Sequence, residues 1–125
     1  MSASPTGRAA AQLAFLQALP TKLHRWKVAV EELGAQRLDE SGVRQLARQL
    51  DETKAQAQQL GLTALAETAG YLGVLARRNG GLQSKVRGLR ELLGSLATNA
   101  EGVARALARP TPGDAAGADG TPAAA

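Results

Sequence analysis

The chain has 125 residues and a formal net charge of +4, and its 44% of hydrophobic side chains are mostly alanine and leucine, with aromatic rings only at Phe15, Trp26 and Tyr71. It has no cysteine and a single histidine, which excludes disulfides and thiolate chemistry and argues against a zinc site of the usual ligands, so neither a metal nor a cofactor is expected. No apolar run approaches the roughly 20 residues of a membrane span, and the start "MSASPTGR" lacks the apolar stretch of a secretory signal, so a soluble, cytoplasmic protein is the expectation.

A core this poor in rings must be built from close-packed Leu, Val and Ala, which favours helix against helix. β-branched residues are scarce, and no run alternates with period two for the length of a strand. The fold class is therefore all-α.

In chain order, residues 1–8 are expected to be a flexible N-terminus. Ala9 to Leu19 ("AAAQLAFLQAL") reads as a short helix ending before Pro20, a residue that starts helices better than it continues them. A second helix runs from Pro20 or Thr21 to Leu33, with Leu23, Trp26, Val30 and Leu33 on one face and Gly34 as its stop.

The third helix, about Glu40 to Leu60, starts after Asp39 or Ser41 as N-cap. It carries Val43, Leu46, Leu50, Thr53, Ala57 and Leu60 on one stripe and ends at Gly61. Thr63 is the expected cap of the fourth helix, which buries Leu65, Ala66, Ala69, Leu72 and Ala76. "RRNGG" (Arg77 to Gly81) is a turn. The last helix is the longest, with alternating four- and three-residue steps from Leu82 through Val86, Leu89, Leu93 and Leu96 to Leu107. Gly88, Gly94 and Gly102 inside it allow close helix approach.

Short connectors favour an antiparallel up-and-down four-helix bundle over residues 9–109, with the short N-terminal helix as an additional lid. The heptad seam of the last helix leaves a homodimer open beside the monomer. Residues 110–125 are Pro, Gly and Ala with almost nothing to bury, and read as a disordered tail or a linker to a further domain. Two acidic residues, Asp114 and Asp119, lie in that tail, so the body before it is more basic than the whole chain and suits an acidic partner.

One stretch of the third helix, "LDETKAQAQQLGL" (Leu50 to Leu62), carries a spaced pattern: Lys54, Ala57, Leu60 and Gly61, followed by "LTALAETAGYL". This resembles the motif of histidine phosphotransfer domains, helical bundles in which a phosphorylated histidine is followed at set intervals by leucine, lysine, glycine, alanine, and an aliphatic-glycine pair. On that alignment the histidine falls on Asp51, the leucine on Thr53 and the glycine on Ala55. The order and lengths of the helices extend the resemblance over roughly Leu13 to Leu107.

A neutral imidazole attacks an aspartyl phosphate near pH 7 and holds the phosphoryl group in labile form. A carboxylate at Asp51 would repel that anionic group. The resemblance thus implies a docking shape without the relay, in two-component or phosphorelay signalling, and no catalytic residue is assigned. The expected partner is a receiver or a histidine-kinase-like domain.

Around Asp51, Arg44, Arg48, Ala55 and Gln58 recur at helical spacing as one polar stripe. With Lys54 these residues are the candidate partner-binding set. The competing reading is a solvated face in which Arg48 pairs with Glu52 and Asp51 with Lys54.

Two features remain. His24, the only imidazole, stands among Lys22, Arg25 and Lys27, but nothing near it repeats the Lys and Gly spacing. It reads as a surface histidine, and an active phosphotransferase using it is the third reading, after an oligomerising helical domain built on the last helix. Arg77, Arg78, Lys85, Arg87 and Arg90 form a basic cluster without interleaved aromatics. That pattern fits a solvated or protein-docking face, and nucleic acid is not expected.

Overall fold

Residues 3–108 are described in a computed structural model of the chain. The tail expected over 110–125 lies outside them. The described residues form four helices and no strand: α1 (Ala3–Gly34), α2 (Glu40–Gln59), α3 (Thr63–Arg77) and α4 (Leu82–Ala108).

The helices pack in a ring. α1 lies against α4 and α2, α3 lies against α2 and α4, and neither diagonal pair of backbones comes as close. The core runs through all four, from Leu19, Trp26 and Val30 to Leu50, Leu65, Leu72, Leu89 and Leu96, each almost fully buried. Trp26 supplies the largest side chain, and its indole Nε1 donates to Gln49 Oε1 at 3.0 Å, so the buried ring keeps a partner for its one polar atom.

The first two expected helices are one. Pro20 sits inside α1, and the segment expected as a separate lid is the first half of that helix, which starts at Ala3, within the stretch expected to be flexible. An interior proline costs about 3 kcal/mol through the lost N–H and the clash with the preceding turn. Continuity of the apolar stripe opposes that cost. Leu16, Leu19, Leu23, Trp26, Val30 and Leu33 keep three- and four-residue steps across Pro20 and face the core in one phase. Each fully buried side chain of this size contributes about 1.5–3 kcal/mol, so several on either side of Pro20 outweigh one proline.

Helix ends follow local chemistry, with two departures from expectation. Asp39 is the N-cap of α2, its Oδ1 accepting the Gly42 amide at 2.8 Å. At the other end Gly61 has φ +76°; its N–H donates to the Gln58 carbonyl and that of Leu62 to Ala57, closing the helix with the left-handed residue expected there. Gln12 Nε2 from α1 donates to the Leu60 carbonyl at 2.7 Å and satisfies one more terminal acceptor.

The stop of α1 differs. Gly34 is still helical, and the left-handed position falls on Gln36, φ 61°, with the Gln36 and Arg37 amides donating to the Leu33 and Glu32 carbonyls. A methyl at Gly34 would touch only the Val86 side chain, at 3.5 Å, so that glycine answers no turn requirement. Thr63 does not cap α3 either: Leu62 holds the cap position and makes no side-chain hydrogen bond.

The heptad stripe of α4 lies inside the ring. Val86, Leu89, Leu93, Leu96 and Ala100 are buried against the chain's own helices, with Leu82, Val103 and Leu107 half-buried. Of the three interior glycines only Gly88 marks a close approach, to the Leu75 side chain; Gly94 and Gly102 face open space.

Candidate functional site

α2 buries Leu46, Ala47, Leu50, Thr53 and Ala57, and this choice of face sends the intervening positions outward. Arg44, Arg48, Asp51, Lys54, Ala55 and Gln58 are all exposed, so the six predicted residues share the solvent side of α2. The resembling motif divides by burial in the same way. Thr53 and Ala57 point into the core and Leu60 is half-buried, while Asp51, midway along the helix, points out.

Asp51 does not pair within α2. Its carboxylate receives two hydrogen bonds from Arg77 of α3, at 3.3 Å from Nη1 to Oδ1 and 2.5 Å from Nη2 to Oδ2. The competing solvated-face reading pairs Asp51 with Lys54, and the partner is Arg77 instead. No Arg48–Glu52 bridge forms, and Arg44 instead faces Glu40, at 3.7 Å. The two-pronged guanidinium contact, and then its positive charge with that of Lys54, hold the Asp51 carboxyl below its ordinary value despite partial desolvation; Arg77 is correspondingly pushed up.

Gly73 of α3 gives Asp51 the room for this crossing, while Gly70 lies in ordinary contact with Lys54. A methyl at Gly73 would come within 2.9 Å of Asp51 Oδ1, and one at Gly70 within 3.4 Å of the Lys54 side chain. Both α2 side chains therefore lie over bare backbone of α3. Two hollows lie along this face, and the Asp51–Arg77 pair stands between their α2 walls, one turn from Arg48 and one from Lys54.

One hollow is about 520 Å³, with Lys54 and Gln58 on one wall, Tyr71 and Val74 on the other, and Ala66 and Gly70 between them. The other, of about 530 Å³, is lined by Arg44, Arg48, Arg77, Asn79 and Lys85, with Glu40 at the rim. Lys85 Nζ donates to the Arg78 carbonyl at 2.8 Å, and burial without a carboxylate pushes its pKa down.

The chain matches no family model, no curated protein and no solved structure. The site therefore rests on its own geometry. Among the described residues no group of three His, Asp or Glu side chains is placed to hold a metal ion, and no helix is long and apolar enough to cross a membrane.

The basic cluster expected over Arg77 to Arg90 is split. Arg77 joins Asp51, and Arg90 makes a two-pronged pair with Glu31 of α1, both contacts at 2.8 Å, which lowers the Glu31 pKa. His24 is exposed and borders a different groove, between α1 and α4, with Leu23, Lys27 and Leu93. It lines neither hollow of the α2–α3 face.

The sequence pattern placed the six α2 residues on one exposed side and gave no role to α3. The available signal was two glycines three residues apart, Gly70 and Gly73, inside a helix of only 15 residues. Tyr71 and Val74 were left without a role by the helical periodicity.

Proposed function

We propose that this chain is a non-catalytic docking module that resembles a histidine phosphotransfer domain and serves two-component or phosphorelay signalling in the cytoplasm. It is read as an antiparallel up-and-down four-helix bundle that offers the face around Asp51 to a receiver or histidine-kinase-like domain. The observation carrying this reading is the place of Asp51, outward and midway along α2, where the resembling motif has its phosphoacceptor.

A carboxylate kept ionised by Arg77 repels an incoming phosphoryl group and is a weaker nucleophile than imidazole. It leaves the face able to bind but unable to relay. Arg44, Arg48, Lys54, Ala55 and Gln58 supply a flat, basic and small-residue surface suited to an acidic partner. The alternative of an oligomerising domain would need the α4 seam, whose central residues are already buried within the chain.

The test is incubation of the purified chain with a panel of phosphorylated receiver domains. The expected result is no transferred phosphate together with saturable binding to one or more receivers, abolished by Arg48→Glu combined with Ala55→Trp. Both positions are exposed, so the fold tolerates the changes. Acid-labile phosphate on His24 would overturn the non-catalytic reading.

A further inference from the structure

The described residues include only three large hydrophobic side chains that are strongly exposed, and two of them, Tyr71 at 62% and Val74 at 59%, stand together on α3. They border the α2–α3 groove three residues apart, one helical ridge beside the glycine floor at Gly70 and Gly73. Without side chains at Gly70 and Gly73, α3 lets Lys54 and Asp51 lie low across it, and the hollow beside them, edged by Tyr71 and Val74, has the form of surfaces that accept another helix.

The charges around the two hollows are unequal. Five cations, Arg44, Arg48, Lys54, Arg77 and Lys85, face three carboxylates, Glu40, Asp51 and Glu67. Among the described residues Arg48, Lys54 and Lys85 take part in no ion pair. Asp51 lies over Gly73 and occupies the guanidinium of Arg77, which itself lines the basic hollow.

We infer that the α2–α3 groove receives an amphipathic, acidic helix of a protein partner, with apolar side chains on Tyr71 and Val74 and carboxylates on the Arg44, Arg48 and Lys85 end, and that Asp51 is an internal competitor for Arg77. A partner carboxylate reaching Arg77 displaces Asp51, so the pair acts as a clasp that opens on docking. The inference rests on the docking reading for the location of the face, but it assigns the anchor to α3 and gives Asp51 an inhibitory role.

The probe is a synthetic 18-residue helix with leucines at i, i+3, i+4 and i+7 and glutamates on both flanks, titrated into isotope-labelled protein and followed by backbone amide shifts. Saturable shifts are expected at residues 67–77 of α3 and 44–58 of α2. Asp51→Asn is expected to tighten binding about threefold by freeing Arg77 and removing a like charge. Tyr71→Ala is expected to weaken it about tenfold, the loss typical of an aromatic anchor.

Equal shifts from a peptide with lysine in place of glutamate, shifts confined to the α1–α4 groove, or weaker binding by Asp51→Asn each overturn the inference. So does an absence of saturable shifts. Receivers that bind the wild-type protein and Tyr71→Ala equally would sink this inference and leave the docking reading standing. A groove that takes the peptide while no receiver binds would do the reverse.

Discussion

Asp51 shows how one side chain takes its meaning from a neighbouring helix. In the sequence it is an acid in the place of an acceptor histidine; in the structure it is the partner of Arg77 across a glycine. Its folded pKa lies below the ordinary carboxylate value of about 3.9. The native state therefore binds fewer protons than the unfolded chain at acid pH, and the contribution of the pair is complete above that value and lost as pH falls through the depressed one. Because both side chains are about half exposed, the contribution is small. Urea unfolding of Asp51→Asn should differ from wild type by the same small shift from pH 7 to pH 5, and the difference should begin to shrink below about pH 3.9 and vanish only below the depressed value. An Asp51→Asn protein more stable than wild type at pH 7, with the gap closing on acidification, would mean that Asp51 is destabilising in the fold.

At the scale of the element, α1 is the informative case. Pro20 reads locally as a boundary, and only the shared phase of Leu16 and Leu19 with Trp26 and Val30 makes the segment one helix. Pro20 is exposed, so replacing it leaves the core untouched. Pro20→Ala restores an amide donor toward Leu16 and should raise stability by about 1–3 kcal/mol, read from the midpoint of chemical denaturation. No gain would mean that α1 is already adjusted around the proline. On α2, Asp39 and Gly61 were legible because caps and left-handed stops depend on residues within one turn. Gln36 was not, because an amide side chain gives no sign that its backbone must take a positive φ.

For the whole molecule, the arrangement of α4 decides what the heptad stripe is for. Seen alone, Leu82 to Leu107 suits an interchain coiled coil as well as an intrachain core. Inside the ring Leu96 is fully buried, so Leu96→Ala should cost about 2–5 kcal/mol, measured as a lowered unfolding midpoint that does not vary with protein concentration. A midpoint that rises with concentration, with loss of a dimer on substitution, would return the stripe to an interface between chains.

What the sequence by itself determined is the all-α class, the stripes that enter the core, the boundaries of α2, and the outward set Arg44, Arg48, Asp51, Lys54, Ala55 and Gln58. All follow from periodicity and capping, which act over one or two turns. The tertiary structure alone decided that Pro20 lies inside a helix, that Asp51 pairs with Arg77 over Gly73, and that Gly70, Tyr71 and Val74 border the hollow beside Lys54 and Gln58. These features depend on which helix lies beside which, and the distance between two side chains 26 residues apart, as Asp51 and Arg77 are, is set by packing and not by either local pattern.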